Sequence, residues 1–141
     1  MDYWGKQWEY SKKTCERNAE IEGVAERVSF QKGSAAALPF DDESMDAAVS
    51  NLVFHEVGGV KDKRELIKEA LRVVKKGGRF VFQDLFLWER IYGDADEMIE
   101  TIRNWGISSV KLIDTSHSNF IPKILKLPFM VGTIGVIVGV K

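Results

Sequence analysis

The amino-acid sequence predicts a layered α/β domain with a mostly parallel sheet. Segments with helical periodicity alternate with segments patterned as strands, and this order is typical of a sheet covered by helices. The chain has 141 residues, of which 45% are hydrophobic and 29% charged. Because this size and balance suit one hydrophobic core, we expect residues 1–141 to form a single domain.

The N-terminal half is predicted to hold one helix and two strands. Residues 11–22 have an apolar face among polar positions, and Gly23 lies just beyond the end, which favours a helix. Residues 27–34 alternate apolar and polar side chains and predict a half-buried strand. Residues 45–54 contain a nearly continuous apolar run, which predicts a buried central strand ending near Ser50.

The C-terminal half contains the clearest helix, at residues 62–76. Asp62 and Glu65 make a start like a capping box, an apolar stripe follows, and Gly77 and Gly78 end it. The remaining pattern predicts a strand at 79–84, a helix at 94–105 and strands at 110–116 and 132–141. Ligands bind beyond the carboxyl ends of the strands in such sheets, which directs attention to Ser34, residues 50–55 and Asp84.

The composition gives no support for several classes of partner and site. Twenty basic residues against 21 acidic residues leave a net charge of -1, so neither a nucleic acid nor a membrane surface is indicated as a partner. The single cysteine, Cys15, cannot form an intrachain disulfide, and the N-terminus lacks a secretory pattern, so we expect a cytoplasmic protein. No cluster of ligand-type residues has metal-site spacing, and we expect no metal.

Two long stretches carry a family resemblance. The first is "RVSFQKGSAAALPFDDESMDAAVSNLVFHEV" and the second is "ELIKEALRVVKKGGRFVFQD". In order and spacing they resemble the middle of a class I S-adenosylmethionine-dependent methyltransferase, of the methyltransferase type 11-like kind. Ser34 stands where that family often has an aspartate, and Lys76 replaces the usual proline before the glycine pair. The resemblance spans most of the chain and implies a Rossmann-like layered sheet.

The resemblance also implies a cofactor, S-adenosylmethionine, and residues that bind it. Asp2 aligns with the acidic residue that accepts the ribose hydroxyls. Residues 38–40 and 50–54 would form an apolar slot for the adenine, with polar contacts from Ser34 and the backbone at Ala35. The full set of implied cofactor-binding residues is Asp2, Tyr3, Gly33, Ser34, Ala35, Asn51 and Leu52.

Part of the family's sheet is not matched by this sequence. The resemblance implies a truncated sheet that lacks the first strand, the glycine-rich loop and most of the second strand. The first strand normally lies at the centre of the sheet, so its loss would expose unpaired backbone groups. We therefore expect either rearranged strands, pairing with another copy as a homo-oligomer, or a completing chain.

The function implied by the resemblance is methyl transfer to a small-molecule substrate. This chemistry needs few catalytic side chains, and His55 is the one candidate for a general base, although a lone histidine is commonly structural. The other hypothesis is a catalytically silent remnant that acts as an interaction module through its exposed strand edges.

Overall fold

The computed structural model describes residues 12–119, 122–127 and 132–141. The chain divides into two compact units, Met1–Gly33 and Ser34–Lys141. In the first unit, the described elements are helix α1 (Lys12–Ile21) and a 3₁₀ turn (Ala25–Arg27). The main elements of the second unit are, in chain order, β1 (Met45–Asn51), α2 (Arg64–Arg72), β2 (Val74–Asp84), α3 (Glu89–Tyr92), α4 (Ala95–Arg103), β3 (Ser109–Asp114) and β4 (Gly135–Val140).

The four strands form one open mixed sheet in the order β1-β2-β4-β3. β1 is parallel to β2, whereas β4 is antiparallel to both β2 and β3. β1, β2 and β3 therefore run in the same direction and β4 runs against them. The predicted layered α/β fold is confirmed. The sheet of the described strands is mixed, with one parallel pairing and two antiparallel pairings, so the prediction of a mostly parallel sheet was wrong in this respect.

The predicted strand at residues 27–34 is wrong. Arg27 ends the 3₁₀ turn and irregular backbone follows, with Val28 42% exposed. Residues 27–34 take part in one β-bridge, the isolated bridge between Ser34 and Ala37. Alternating side chains stabilise a strand only if another strand accepts its backbone hydrogen bonds, and the described residues offer none here.

The strand predicted at residues 45–54 exists as β1, but it is not central. It ends at Asn51, next to the predicted end at Ser50. Among the described strands β1 pairs with β2 alone, and Val49 is 80% exposed. The prediction of a buried strand was wrong because an apolar run does not specify how many neighbours a strand has.

The helix predicted at residues 62–76 is shorter in the structure. Asp62 accepts a hydrogen bond from the Arg64 backbone N–H at 3.0 Å, and α2 ends at Arg72. β2 then begins at Val74, and the glycine pair lies inside it, at a break in the register with β1. Gly77 has φ of 79°, a left-handed conformation that glycine adopts without strain.

The remaining predicted elements are confirmed as β2, α4, β3 and β4, with ends shifted by a few residues. Asp94 is the N-cap of α4, since its Oδ1 accepts a hydrogen bond from the Glu97 backbone N–H at 2.9 Å. It is followed by Gly106 with φ of 84°. The predicted start and stop signals are therefore correct for α4, whereas the glycine stop predicted for α2 is not.

The hydrophobic core lies on one face of the sheet. Phe80 and Phe82 of β2 point into it, and Phe82 packs edge-on against Phe54 with ring centroids 5.3 Å apart. α2 and α4 supply most of the other core side chains: Leu66, Ile67, Ala70, Leu71, Met98, Ile99 and Ile102. On the opposite face Val81 and Ile113 are each 42% exposed. The helices of the second unit therefore cover one face and position the carboxyl ends of β1 and β2.

Candidate functional site

The candidate site begins where β1 and β2 end. The two strands are parallel, so Asn51 and Asp84 lie at the same edge of the sheet, and Asn51 is in register with Gln83. The Leu52 backbone N–H donates to the Gln83 carbonyl at 2.8 Å. This is the edge where α/β sheets bind ligands.

Asp84 is fully buried and holds the residues that follow β1. Its Oδ2 accepts from the Phe54 backbone N–H at 2.9 Å, and its Oδ1 accepts from the Leu85 backbone N–H at 2.7 Å. The third donor is Nδ1 of His55, at 2.7 Å from Oδ1. The buried carboxylate is therefore satisfied by hydrogen bonds rather than left unpaired.

His55 lies between two carboxylates. Since a carboxylate can only accept, Nδ1 carries the hydrogen toward Asp84, and in the neutral ring Nε2 keeps the lone pair. Nε2 is 3.2 Å from Oε1 of Glu56, and the His55 side chain is 18% exposed while that of Glu56 is 46% exposed. The ring is therefore oriented by Asp84 through Nδ1, and its Nε2 faces the half-exposed Glu56.

Tyr92 is buried close to the same carboxylate. Its hydroxyl has no hydrogen bond among the described residues. Burial first, and then the charge of Asp84, raise the pKa of the Tyr92 phenol above its usual value. Tyr92 therefore stays neutral within the hydrophobic core beside Asp84.

Apolar side chains at the end of β1 remain partly exposed. Leu52 and Val53 are 37% and 43% exposed, respectively. Leu52 has φ of 54°, a left-handed conformation that is uncommon for a residue with a side chain. Strained backbone of this kind clusters at functional sites, so Leu52 supports a ligand-binding role for this edge.

The other predicted cofactor residues are placed as follows. Ser34 and Ala35 belong to the same unit as Asn51 and Leu52, and Ala35 packs against the hydrophobic core. The Ser34 Oγ accepts from the Ala36 N–H at 3.2 Å. Gly33 belongs to the first unit and is exposed, and the predicted residues Asp2 and Tyr3 lie outside the described residues.

The sequence did not predict the contacts of Glu69 and Arg72 or the contact between Asp84 and His55. Glu69 and Arg72 of α2 hydrogen-bond to residues 38–42, which precede β1. Their three-residue spacing on a helix predicted only that they could contact each other. The Asp84–His55 contact was likewise not predicted, although Asp84 ends one predicted strand and His55 follows another.

The first unit has an open depression of about 440 Å³, none of whose lining residues was predicted to bind the cofactor. No group of three or more potential metal ligands occurs among residues 12–119, 122–127 and 132–141. None of the helices in those ranges is long and apolar enough to span a bilayer.

Comparison with known proteins identifies the family. A family model described as "Methyltransferase domain" matches residues 1–82. The chain is 39% identical over 66 residues to the uncharacterized methyltransferase YcgJ of Bacillus subtilis, which covers 47% of this chain and 24% of YcgJ. It is 33% identical over 81 residues to the ubiquinone/menaquinone biosynthesis C-methyltransferase UbiE of Bartonella henselae, covering 57% of this chain and 28% of UbiE.

A solved structure supports the fold. Geranyl diphosphate C-methyltransferase from Streptomyces coelicolor, solved with Mg²⁺, geranyl diphosphate and S-adenosyl-L-homocysteine, superposes with a TM-score of 0.61 at 16% identity. The match covers 89% of this chain and 58% of that one. The chain spans about a quarter to a third of the length of the curated relatives it matches, 24% to 34% of each. The matched family model and the layered sheet together show that the chain belongs to the methyltransferase-domain family, the class I S-adenosylmethionine-dependent methyltransferases.

Proposed function

We propose that this chain is a partial methyltransferase domain, residues 1–141, that transfers a methyl group from S-adenosylmethionine to a small-molecule acceptor. One observation supports this most strongly. Asn51 ends β1 and Leu52 follows it, at the same sheet edge where Asp84 holds His55. The family of the chain and the S-adenosyl-L-homocysteine in the Streptomyces coelicolor structure favour the same cofactor.

The residues at this edge fit an adenosine group. Leu52 and Val53 offer partly exposed apolar surface for the adenine ring, and the exposed Asn51 offers both a donor and an acceptor. The Ser34 oxygen accepts a backbone N–H, so its own hydrogen can still be donated. Ala35 is proposed to add backbone contacts, while Asp2, Tyr3 and Gly33 stay predictions. When bound, the cofactor supplies a methyl group on a sulfonium, which is already an activated leaving group.

For a substrate whose methyl-accepting group carries a proton, we propose that His55 takes up that proton. A bound cofactor would supply the methyl group from its sulfonium and would keep the electron pair of the broken carbon–sulfur bond on sulfur. The proton of the acceptor then passes to Nε2, which Asp84 orients through Nδ1. Glu56 can stabilise the resulting imidazolium from 3.2 Å.

Calorimetric titration with S-adenosylhomocysteine tests the proposed function. Micromolar binding is expected, and His55→Gln should bind with unchanged affinity because His55 is assigned to the acceptor rather than to the cofactor. If wild-type protein of verified fold gives no binding heat, the enzyme proposal fails. That result would favour the second candidate function.

The second candidate function is an interaction module, and the exposed edge of β1 favours it. Within the described residues no strand pairs with the outer side of β1, and Val49 is 80% exposed there. An open edge of this kind recruits a further strand, supplied by another copy of the chain or by a separate polypeptide. Size-exclusion chromatography with light scattering separates these cases, since a folded monomer would exclude pairing between copies.

We also propose a cytoplasmic location. The sequence contains one cysteine, Cys15, which is half-buried on α1. A lone thiol suits a reducing compartment. Fractionation of the native source with an antibody against the chain tests this placement.

A further inference from the structure

The connection between β3 and β4 leaves the sheet and returns to it at one edge. Asp114, the last residue of β3, is in register with Gly135, the first residue of β4, and Gly135 is in register with Asp84. The connection, residues 115–134, is therefore attached at both ends to the sheet edge where β2 ends. It contains a 3₁₀ turn, Lys123–Leu125.

Charge is unevenly distributed along the sequence. All 21 acidic residues lie between Asp2 and Asp114, whereas residues 115–141 contain three lysines and no acidic residue. The net charge of -1 averages over these two parts, and for that reason it gave no indication of an anionic partner. Exposed charges act mainly within a Debye length of about 8–10 Å, so the local excess of lysine decides which surface the connection attracts.

The 3₁₀ turn and the residues after it present large apolar side chains to solvent. Ile124 is 76% exposed, Leu125 is 37% exposed and Leu127 is 42% exposed. Single exposed apolar residues are ordinary on protein surfaces, but three within four positions form a contiguous patch. A patch of this kind marks a surface that binds something apolar.

Two lysines accompany this patch. The Lys126 backbone N–H donates to the Lys123 carbonyl at 3.1 Å, which closes one turn of the 3₁₀ helix. Side chains three positions apart lie on the same side of such a turn, so the two lysines project from one side of it. Neither lysine forms an ion pair within the described part of the chain. Both ammonium groups are therefore available to an external anion.

We propose that residues 122–127 dock the chain on the surface of a membrane that contains anionic lipids. In this arrangement the three apolar side chains enter the boundary between headgroups and acyl chains, while the two ammonium groups stay among the lipid phosphates. Apolar burial and attraction to anionic lipids then add to each other. The proposal does not depend on cofactor binding or on methyl transfer.

The size of the patch favours a lipid surface over a protein partner. A stable protein interface buries about 800 Å² on each partner. Even the larger aromatic side chains bury only about 150–250 Å² each, so three partly exposed aliphatic side chains fall short of that area. A bilayer requires no complementary surface, because its binding strength scales with whatever apolar area enters it.

Ile21 provides a matched control. It is 71% exposed at the end of α1, which makes it nearly as exposed as Ile124. Its neighbours in the sequence are Glu20 and Glu22, which an anionic surface repels. Ile21→Ser and Ile124→Ser therefore remove the same exposed side chain, in the first case between acids and in the second beside a lysine.

The test is cosedimentation of the full chain with vesicles of equal parts phosphatidylcholine and phosphatidylglycerol, and with vesicles of phosphatidylcholine alone. Wild type should bind the mixed vesicles more strongly, and added salt should weaken that binding. Ile124→Ser should lower the partition coefficient on the order of tenfold, because one apolar side chain no longer enters the lipid. The double variant Lys123→Gln/Lys126→Gln should also lower it on the order of tenfold, and Ile21→Ser should leave it unchanged.

Four outcomes would overturn the proposal. The first is folded wild-type chain that does not cosediment with the mixed vesicles. The second is equal binding to both kinds of vesicle, and the third is an equal loss in Ile21→Ser and Ile124→Ser. The fourth is dissociation of an oligomer by Ile124→Ser in sedimentation velocity without lipid, which would identify a second copy as the occupant. If Ile124→Ser does not fold, as judged by circular dichroism, unchanged binding of the lysine double variant would overturn the proposal instead.

Discussion

At the scale of single residues, Asp84 organises the end of β2. It is fully buried, and three donors converge on its two oxygens. Two of these donors are backbone N–H groups, of Phe54 and Leu85. The carboxylate therefore links the end of β2 to the turn that follows β1, and the position of His55 depends on it.

Replacement of Asp84 by asparagine should destabilise the protein by about 1–3 kcal/mol, because one buried N–H loses its acceptor. Whichever way the amide is oriented, its NH₂ group faces a backbone donor. Urea unfolding followed by circular dichroism measures the change. The control is Asp114→Asn at the end of β3, where the carboxylate is 45% exposed and an amide oxygen can still accept from the Ser116 N–H. Equal losses in both variants would contradict the role of Asp84.

Protonation of Glu69 should account for part of the stability that the protein loses at acidic pH. Its folded-state pKa is lowered, chiefly by Arg72, from an ordinary value of 4.5. A lowered pKa means that this contribution is complete above pH 4.5 and is lost as the pH falls through the folded-state pKa. The free-energy difference between wild type and Glu69→Gln should therefore shrink as urea unfolding is repeated from pH 7 down to about pH 3.

The control for that experiment is Glu97→Gln, because the Glu97 side chain is 72% exposed and lies 3.7 Å from its nearest cation, Arg64. An exposed pair of this kind contributes little to stability. A wild-type minus Glu69→Gln difference that does not depend on pH would show that the ion pair with Arg72 does not contribute.

At the scale of elements, β4 ties the sheet together. It is antiparallel to β2 on one side and to β3 on the other, and its last residues bond to the start of β2 through Lys141 and Gly78. Gly139 is in register with both Phe80 and Val110. A β-carbon at Gly139 would lie 2.5 Å from Cζ of Phe80 and would also meet the Ser109 carbonyl oxygen. The close approach of the strands therefore requires glycine.

Gly139→Ala should cost about 1–3 kcal/mol of unfolding free energy, because the added methyl group overpacks the sheet. Gly58→Ala is the matched control, since nothing lies within 4 Å of a β-carbon there and its φ is not positive. Its effect should stay within about 0.5 kcal/mol. Thermal and urea unfolding of both variants measure the difference, and equal stabilities would refute the packing argument.

At the scale of the whole second unit, the sheet is asymmetric. One face is packed by α2 and α4, whereas Val49, Val81 and Ile113 stay exposed on the other face. The open side of β1 adds unpaired backbone groups to this apolar surface, within the part of the chain described by the structure. An open edge strand that carries no lysine or proline is a pairing site.

Wild-type protein should therefore associate with increasing concentration, and Val49→Lys should shift it toward the monomer. A lysine on an edge strand opposes strand addition by its charge. Sedimentation velocity over a range of concentrations measures the shift. Ile124→Lys is the control, since Ile124 is 76% exposed but lies in a 3₁₀ turn outside the sheet. Equal dissociation in both variants would indicate nonspecific charge repulsion.

Neighbouring residues were sufficient to predict most of the helices and strands and the family of the chain. The N-cap of α4, the patterns that became β2, β3 and β4, and the order of motifs through residues 27–84 could all be recognised from neighbouring residues. Such signals are local because capping and side-chain periodicity act over a few positions.

Which of the predicted strands pair with one another depends on the tertiary structure. The alternating segment at residues 27–34 has no strand to pair with among the described residues, and the apolar β1 lies at an edge instead of the centre. The Asp84–His55 contact and the Arg72 hydrogen bonds to Leu38, Phe40 and Asp42 join residues about 30 positions apart. Pairing and hydrogen bonding over such separations depend on how the whole chain packs, so no local pattern specifies them.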